Sequence, residues 1–233
     1  MSATSASLSV ILIHGAFTNS SCWSKVLLGL RARGIRGTAT HCPLTSLTHD
    51  AAAAQRAIEM QAGHVLLVGH GWGGVAISEA GRHPKVAGLV YVAGIAPDSG
   101  QSFNDWSRDY PLAPGCAEVT PFGDGFVALT AKGFREDFAP DVAAEEADAL
   151  FATQAPLAMR YFGDRVGKTA WRMRSASYLV AEDDRMIPPA LEHASASGMG
   201  GRVLNLRSSH VPMLSQPEAV TDFVAQAIEG LTG

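Results

Sequence analysis

Short apolar runs alternate along this chain with longer segments of helical periodicity. Leu8–Ile13 is the first run, bounded by Ser7 and His14-Gly15, and it predicts a buried strand. Ser24–Arg33 follows with helical spacing and ends at Gly34. Arg36–Thr40 predicts a second strand. Thr48 or Asp50 then suits the cap of an alanine-rich helix over Ala51–Gln61. Val65–Val68 predicts the next buried strand, closed by a Gly69-His70-Gly71 turn and followed by a helix over Gly73–Gly81. Val86–Val92 is another strand-like run. After a long interruption come Ala176–Ala181, a helix over Pro189–Ser197, a strand over Arg202–Leu206 and a final helix over Pro217–Leu231. Strands alternating with helices predict an α/β fold, with a mostly parallel central sheet and helices on both faces.

The alternation weakens between Pro97 and Thr169, a stretch that includes Pro97, Pro111, Pro114, Pro121 and Pro140 and a helical piece around Val142–Phe151. Residues 97–170 are expected to form a small inserted lid over the strand ends of a single domain spanning 1–233. Ligands in parallel-sheet proteins bind outside the carboxyl ends of the strands, so an insertion here is placed to cover them.

Charge excludes some classes of partner. Eighteen basic and 22 acidic side chains give a formal net charge of -4, with no basic run, so no nucleic-acid partner is expected. No run approaches the length of a membrane span. Met1–Ser7 lack the positive and apolar regions of a secretory signal. The three cysteines, Cys22, Cys42 and Cys116, are an odd, widely spaced set, which predicts a cytoplasmic protein without a disulfide framework. A homodimer is allowed, though no interface is marked. The eight histidines form no compact ligand set and the glycines match neither phosphate-binding fingerprint, so no metal and no cofactor are expected.

The candidate chemistry lies at the predicted strand ends. His14-Gly15-Ala16-Phe17 follows the first strand and Gly69-His70-Gly71-Trp72-Gly73 follows the third. Glu182-Asp183-Asp184 precedes Arg185-Met186-Ile187-Pro188, and Ser209-His210-Val211-Pro212-Met213-Leu214-Ser215 precedes the last helix. These four ordered elements resemble the α/β-hydrolase superfamily over nearly the whole chain. The short first motif, the Ser-His-x-Pro-Met-Leu-Ser ending and the compact lid also resemble small bacterial esterases related to plant methylesterases and hydroxynitrile lyases. The resemblance implies a small-molecule ester, lactone or cyanohydrin-like ligand.

It also implies roles. Asp184 best matches the acid of the family's triad, with Glu182 and Asp183 as nearby alternatives, and His210 matches the general base. The second motif has the shape of a nucleophile elbow, G-x-S-x-G, but Gly71 stands at the serine position and leaves it vacant. Backbone N–H groups of Phe17 and Trp72 are candidate oxyanion donors. Ala16 and Asn19 are alternatives in the same pocket, which His70, Phe103, Trp106, Phe126, Met159 and Met213 are further candidates to line. His14 and His70 also read as structural histidines. Ser78, Ser20, Ser21 and Cys22 have no motif that places them as a substitute nucleophile.

Three accounts of Gly71 follow. The chain is an ester or lactone hydrolase scaffold that lacks its nucleophile; or an enzyme in which His210 and Asp184 activate water or transfer a proton, as a lyase does; or a ligand-binding pseudoenzyme.

Overall fold

A computed structural model of the protein describes residues 8–232. Met1–Ser7, read above as carrying no signal, lie outside the described residues. The strands are β1 (Ser9–Ile13), β2 (Gly37–Thr40), β3 (Val65–His70), β4 (Val86–Val92), β5 (Val119–Pro121), β6 (Phe126–Leu129), β7 (Leu157–Ala158), β8 (Ser175–Ala181) and β9 (Val203–Leu206). The longer helices are α1 (Ser24–Ala32), α2 (Leu47–Glu59), α3 (Gly73–Ala80), α4 (Ala144–Ala152), α5 (Pro189–Met199) and α6 (Pro217–Thr232).

Six strands form one parallel sheet in the order β2-β1-β3-β4-β8-β9. The first crossover runs outward from β1 to β2, and the next returns past β1 to β3. Strand order therefore reverses between β1 and β3, and a crevice opens at their carboxyl ends. Right-handed crossovers put α1 on one face and α2 and α3 on the other. The packing agrees: α1 lies against α6, and α2 against α3. With both faces covered, the central strands read as continuous apolar runs. Val10–Ile13 and Val65–Val68 are essentially inaccessible to solvent.

The largest departure among the helices is the start of α2. α2 begins at Leu47, capped by Ser46, whose side-chain oxygen accepts from the His49 N–H. Neither Thr48 nor Asp50 is the cap. Asp50 instead turns inward, where its Oδ1 accepts from the Leu44 N–H at 2.9 Å.

The segment 97–170 contains a three-stranded antiparallel sheet, β5-β6-β7, which the hydrophobic pattern did not announce. Several hydrogen bonds fasten this segment to the core loops, those of two aspartates among them. Asp137 accepts from Arg185 Nε at 2.7 Å, and Asp141 accepts from the Ser209 N–H at 2.8 Å and from the Ser209 hydroxyl. Among the described residues, no helix is long and apolar enough to cross a membrane.

Candidate active site

β3 delivers the chain to a sharp turn. Gly71 has φ +48°, in the left-handed region where a Cβ would be strained. The end of β4 holds the turn in place. The Gly71 N–H donates to Val92 O at 3.2 Å, and Gly71 O accepts from the N–H groups of Ile95 and Gly74. A Cβ placed on Gly71 would lie 2.9 Å from His210 Nε2. A side chain at position 71 would therefore project straight at the imidazole.

His210 sits in the loop after β9, and Asp184 in the turn after β8. His210 Nδ1 donates to Asp184 Oδ2 at 2.6 Å, and both side chains are buried. Asp184 Oδ1 accepts from the N–H groups of Met186 (2.6 Å) and Ile187 (2.9 Å), which fixes the carboxylate in the turn. A proton held on Nδ1 leaves the Nε2 lone pair facing residue 71, the tautomer a general base requires. Glu192 is fully buried nearby, its Oε2 accepting from the Ala181 N–H at 3.0 Å. Burial, reinforced by the adjacent Asp184 charge, holds the Glu192 carboxyl well above the usual range.

The two other histidines are props. His70 is fully buried and its Nε2 donates to the backbone carbonyl of His210 at 2.8 Å. Burial and the neighbouring His210 push its pKa well below the ordinary value. His70 thus supports the His210 backbone as a neutral ring. His14 donates from Nδ1 to Gly15 O, and its Nε2 accepts from the Cys42 N–H. Burial lowers its pKa to about 4, so it too is neutral.

The loop after β1 presses against the elbow: a Cβ on Gly15 would lie 3.0 Å from Trp72 N. Phe17, expected as a donor here, has its N–H occupied by Ala155 O at 3.1 Å. Phe17 itself has a positive φ, +60°. Among the described residues, the N–H groups of Ala16 and Trp72 have no such acceptor, and they flank the elbow.

A cavity of about 70 Å³ opens over this arrangement, and Ala16, Phe17, Trp72, Phe103, Phe138 and His210 line it. Several other expected lining residues lie elsewhere. Asn19 is spent on the Ser21 N–H and on Thr153 O. Phe126 stands on β6 outside the cavity, and Met159 is 53% exposed to solvent. Met213 is buried in the core, His70 lies beneath the site, and Trp106 lines a neighbouring chamber. The sequence reading missed Ile95 after β4, Cys116, Val119 and Leu157 in the inserted segment, and Met186 and Ile187 beside Asp184. Only Met186 and Ile187 carried a signal, by adjacency to the acid. Ser78, on α3, is buried and bonded to Gly74 O and the Tyr91 hydroxyl.

An elbow after β3, an acid after β8 and a histidine after β9, on a six-stranded parallel sheet, define an α/β-hydrolase architecture. The sequence profile of the alpha/beta hydrolase family matches residues 10–223, and the chain belongs to that family. A pyrethroid hydrolase from Sphingobium wenxiniae is 28% identical over 242 residues, covering 93% of this chain and 86% of the relative. A norfluorocurarine synthase from Strychnos is 24% identical over 263 residues, covering 94% of each. The crystal structure of polyneuridine aldehyde esterase superimposes with a TM-score of 0.82 at 17% identity, covering 95% of this chain and 99% of that one. The scaffold is of the hydrolase type, with ester hydrolases among its relatives.

Proposed function

We propose that this chain is a carboxylic-ester or lactone hydrolase scaffold in which Gly71 occupies the nucleophile position, so that the covalent step is removed while the rest of the site is kept. One observation carries the reading: the Cβ direction of residue 71 meets His210 Nε2 at 2.9 Å. That approach is closer than an ordinary Cβ contact, so the imidazole would shift by a few tenths of an ångström to admit a side chain, and a serine hydroxyl would then be within reach of its base. The N–H groups of Ala16 and Trp72 are the assigned oxyanion donors, since Phe17's is taken. The relatives named as a pyrethroid hydrolase and an esterase support an ester as the ligand class. The cavity lining, apolar apart from His210 and Cys116, supports an uncharged one. Three free cysteines, two of them buried, support a reducing cytoplasmic setting.

A second reading is favoured by the intact His210–Asp184 pair. His210 Nε2 would take a proton from a water seated over Gly71, and the resulting hydroxide would attack the carbonyl carbon. Ala16 and Trp72 would hold the oxyanion. The proton would then pass from His210 to the departing alkoxide, giving acid and alcohol. One relative is named as a synthase and not as a hydrolase, which supports keeping a second reading for this scaffold.

A turnover screen on small aryl esters and lactones separates the readings. On the first reading only Gly71→Ser turns over, by at least ~10³-fold above the unmodified chain, because loss of a catalytic serine alone costs far more than that. On the second, the unmodified chain turns over and His210→Ala abolishes it. Binding that survives His210→Ala, with no product from any variant, would leave a ligand-binding protein and defeat both. Residue 71 would still be strained in Gly71→Ser, by about 1–2 kcal/mol, so folding is checked in parallel.

A further inference from the structure

The chain runs from the turn that holds Asp184 into α5, and the first turn of that helix brings Glu192 back beside the acid. Glu192 is closed to solvent. Its Oε2 accepts from the Ala181 N–H at 3.0 Å, at the carboxyl end of β8. Among the described residues, no N–H or hydroxyl reaches its Oε1, which is equally buried. The group within hydrogen-bond reach there is a second carboxyl, that of Asp184.

Asp184 already accepts on both oxygens, from His210 Nδ1 on Oδ2 and from the Met186 and Ile187 N–H groups on Oδ1. Two ionised carboxylates in contact, cut off from water, would repel with nothing to offset them. A single proton between them turns the contact into a charge-assisted hydrogen bond. The other titratable groups facing the pair are Tyr178, Cys116 and Glu182. Tyr178 donates its hydroxyl to Gly94 O at 2.5 Å, and Glu182 faces His193 Nε2 at 3.1 Å. Arg185, next in sequence to Asp184, is paired with Asp137. Burial and the neighbouring Asp184 hold the Glu192 carboxyl well above its ordinary range, which favours Glu192 as the holder of the proton.

We propose that Glu192 is a positioning residue of this site, a proton-bearing carboxyl whose Oε1 donates to Asp184 and locks the acid that faces His210. No step of the reaction passes through it. The bond fixes the plane of the Asp184 carboxyl, and with it the direction from which His210 Nε2 faces residue 71. It also adds one more donor to Asp184, which moderates the pull of that acid on the His210 Nδ1 proton. This role rests on the reading of His210 and Asp184 as the base and acid of the site.

Infrared spectroscopy of the unmodified full chain near neutral pH tests it without any reaction. A protonated carboxyl has a C=O band set apart from the carboxylate bands. One such band is expected to shift when glutamate carries carbon-13 in its side-chain carboxyl, and to vanish in Glu192→Gln. The glutamate label separates it from Asp50, another buried carboxyl raised toward neutrality. The Glu192→Gln amide keeps both bonds, its oxygen to Ala181 and its N–H to Asp184. The low-field proton resonance of His210 Nδ1–H is therefore expected to stay in place in Glu192→Gln and to move in Glu192→Leu. In the Gly71→Ser background, fluorophosphonate labelling is expected to stay within ~3-fold on adding Glu192→Gln and to slow at least ~10-fold on adding Glu192→Leu. Glu192→Met stands in if the leucine variant misfolds. The absence of any band that both follows the glutamate label and vanishes in Glu192→Gln overturns the proton-bearing carboxyl. A His210 resonance unmoved by the folded apolar variant, or equal labelling rates in the amide and apolar variants, overturns the positioning role. A folded Gly71→Ser that stays unlabelled overturns the hydrolase reading instead, and the infrared band and the His210 resonance still decide the role of Glu192.

Discussion

The site is built from two regions of opposite character. The sheet supplies the elbow, the histidine and the acid from strand ends whose residues Val10–Ile13 and Val65–Val68 are closed to water. The segment 97–170 supplies much of the cavity wall and leaves Leu112, Phe122 and Met159 more than half exposed. Chemistry therefore stands on the part of the molecule that can least deform, and ligand shape is set by the part with the most freedom to change. The difference teaches that the His210–Asp184 geometry can persist while the wall, or the residue at position 71, changes.

The comparison is broken most forcefully from the core. Leu67 is fully buried in β3, and Leu67→Ala is expected to lower stability by about 2–5 kcal/mol in a denaturant titration. A loss under 1 kcal/mol would mean that the sheet is not the rigid partner. The next effect comes from pH. Burial raises the Asp50 carboxyl to about 7, against bonding to the Leu44 N–H that lowers it. A raised native pKa means that the folded state holds a proton the unfolded state has released. The contribution of Asp50 to stability is thus full below about pH 4 and is lost as pH rises through about 7, by up to about 4 kcal/mol. Asp50→Asn should flatten that slope in melts recorded across the same range; an unchanged slope refutes the assignment.

The join between the regions should show an intermediate effect. Asp141→Ala removes two hydrogen bonds to Ser209, next to His210. It is expected to cost about 1–3 kcal/mol, with a larger proportional loss of Gly71→Ser turnover than of Leu67-region protection in amide exchange. Equal losses would make Asp141 a general stabiliser instead of a positioning residue. The smallest effect belongs to the segment's exposed surface: Phe122→Ala should change stability by less than about 0.5 kcal/mol.

The same contrast explains what could be read from the chain. β1, β3, β4 and β8 are apolar runs buried on both faces, and each was visible within a residue or two of its ends. β5, β6 and β7 were not, because they are three, four and two residues long, include Pro121, and pair only with one another. His210, Asp184 and Gly71 were legible because each sits in a local motif at a strand end. The oxyanion donor was not. Which of two consecutive amides is free depends on the hydrogen bond from the Phe17 N–H to Ala155 O, and Ala155 is remote in sequence. Cys116, Val119 and Leu157 face the cavity for similarly non-local reasons.

The central claim is that position 71 is a nucleophile site holding a glycine. Intact-protein mass spectrometry after exposure to a fluorophosphonate tests it most directly. One adduct is expected on Gly71→Ser, localised to residue 71 and lost when His210→Ala is added, with none on the unmodified chain. An adduct on the unmodified chain at any other residue, or a folded Gly71→Ser that stays unlabelled, would contradict it.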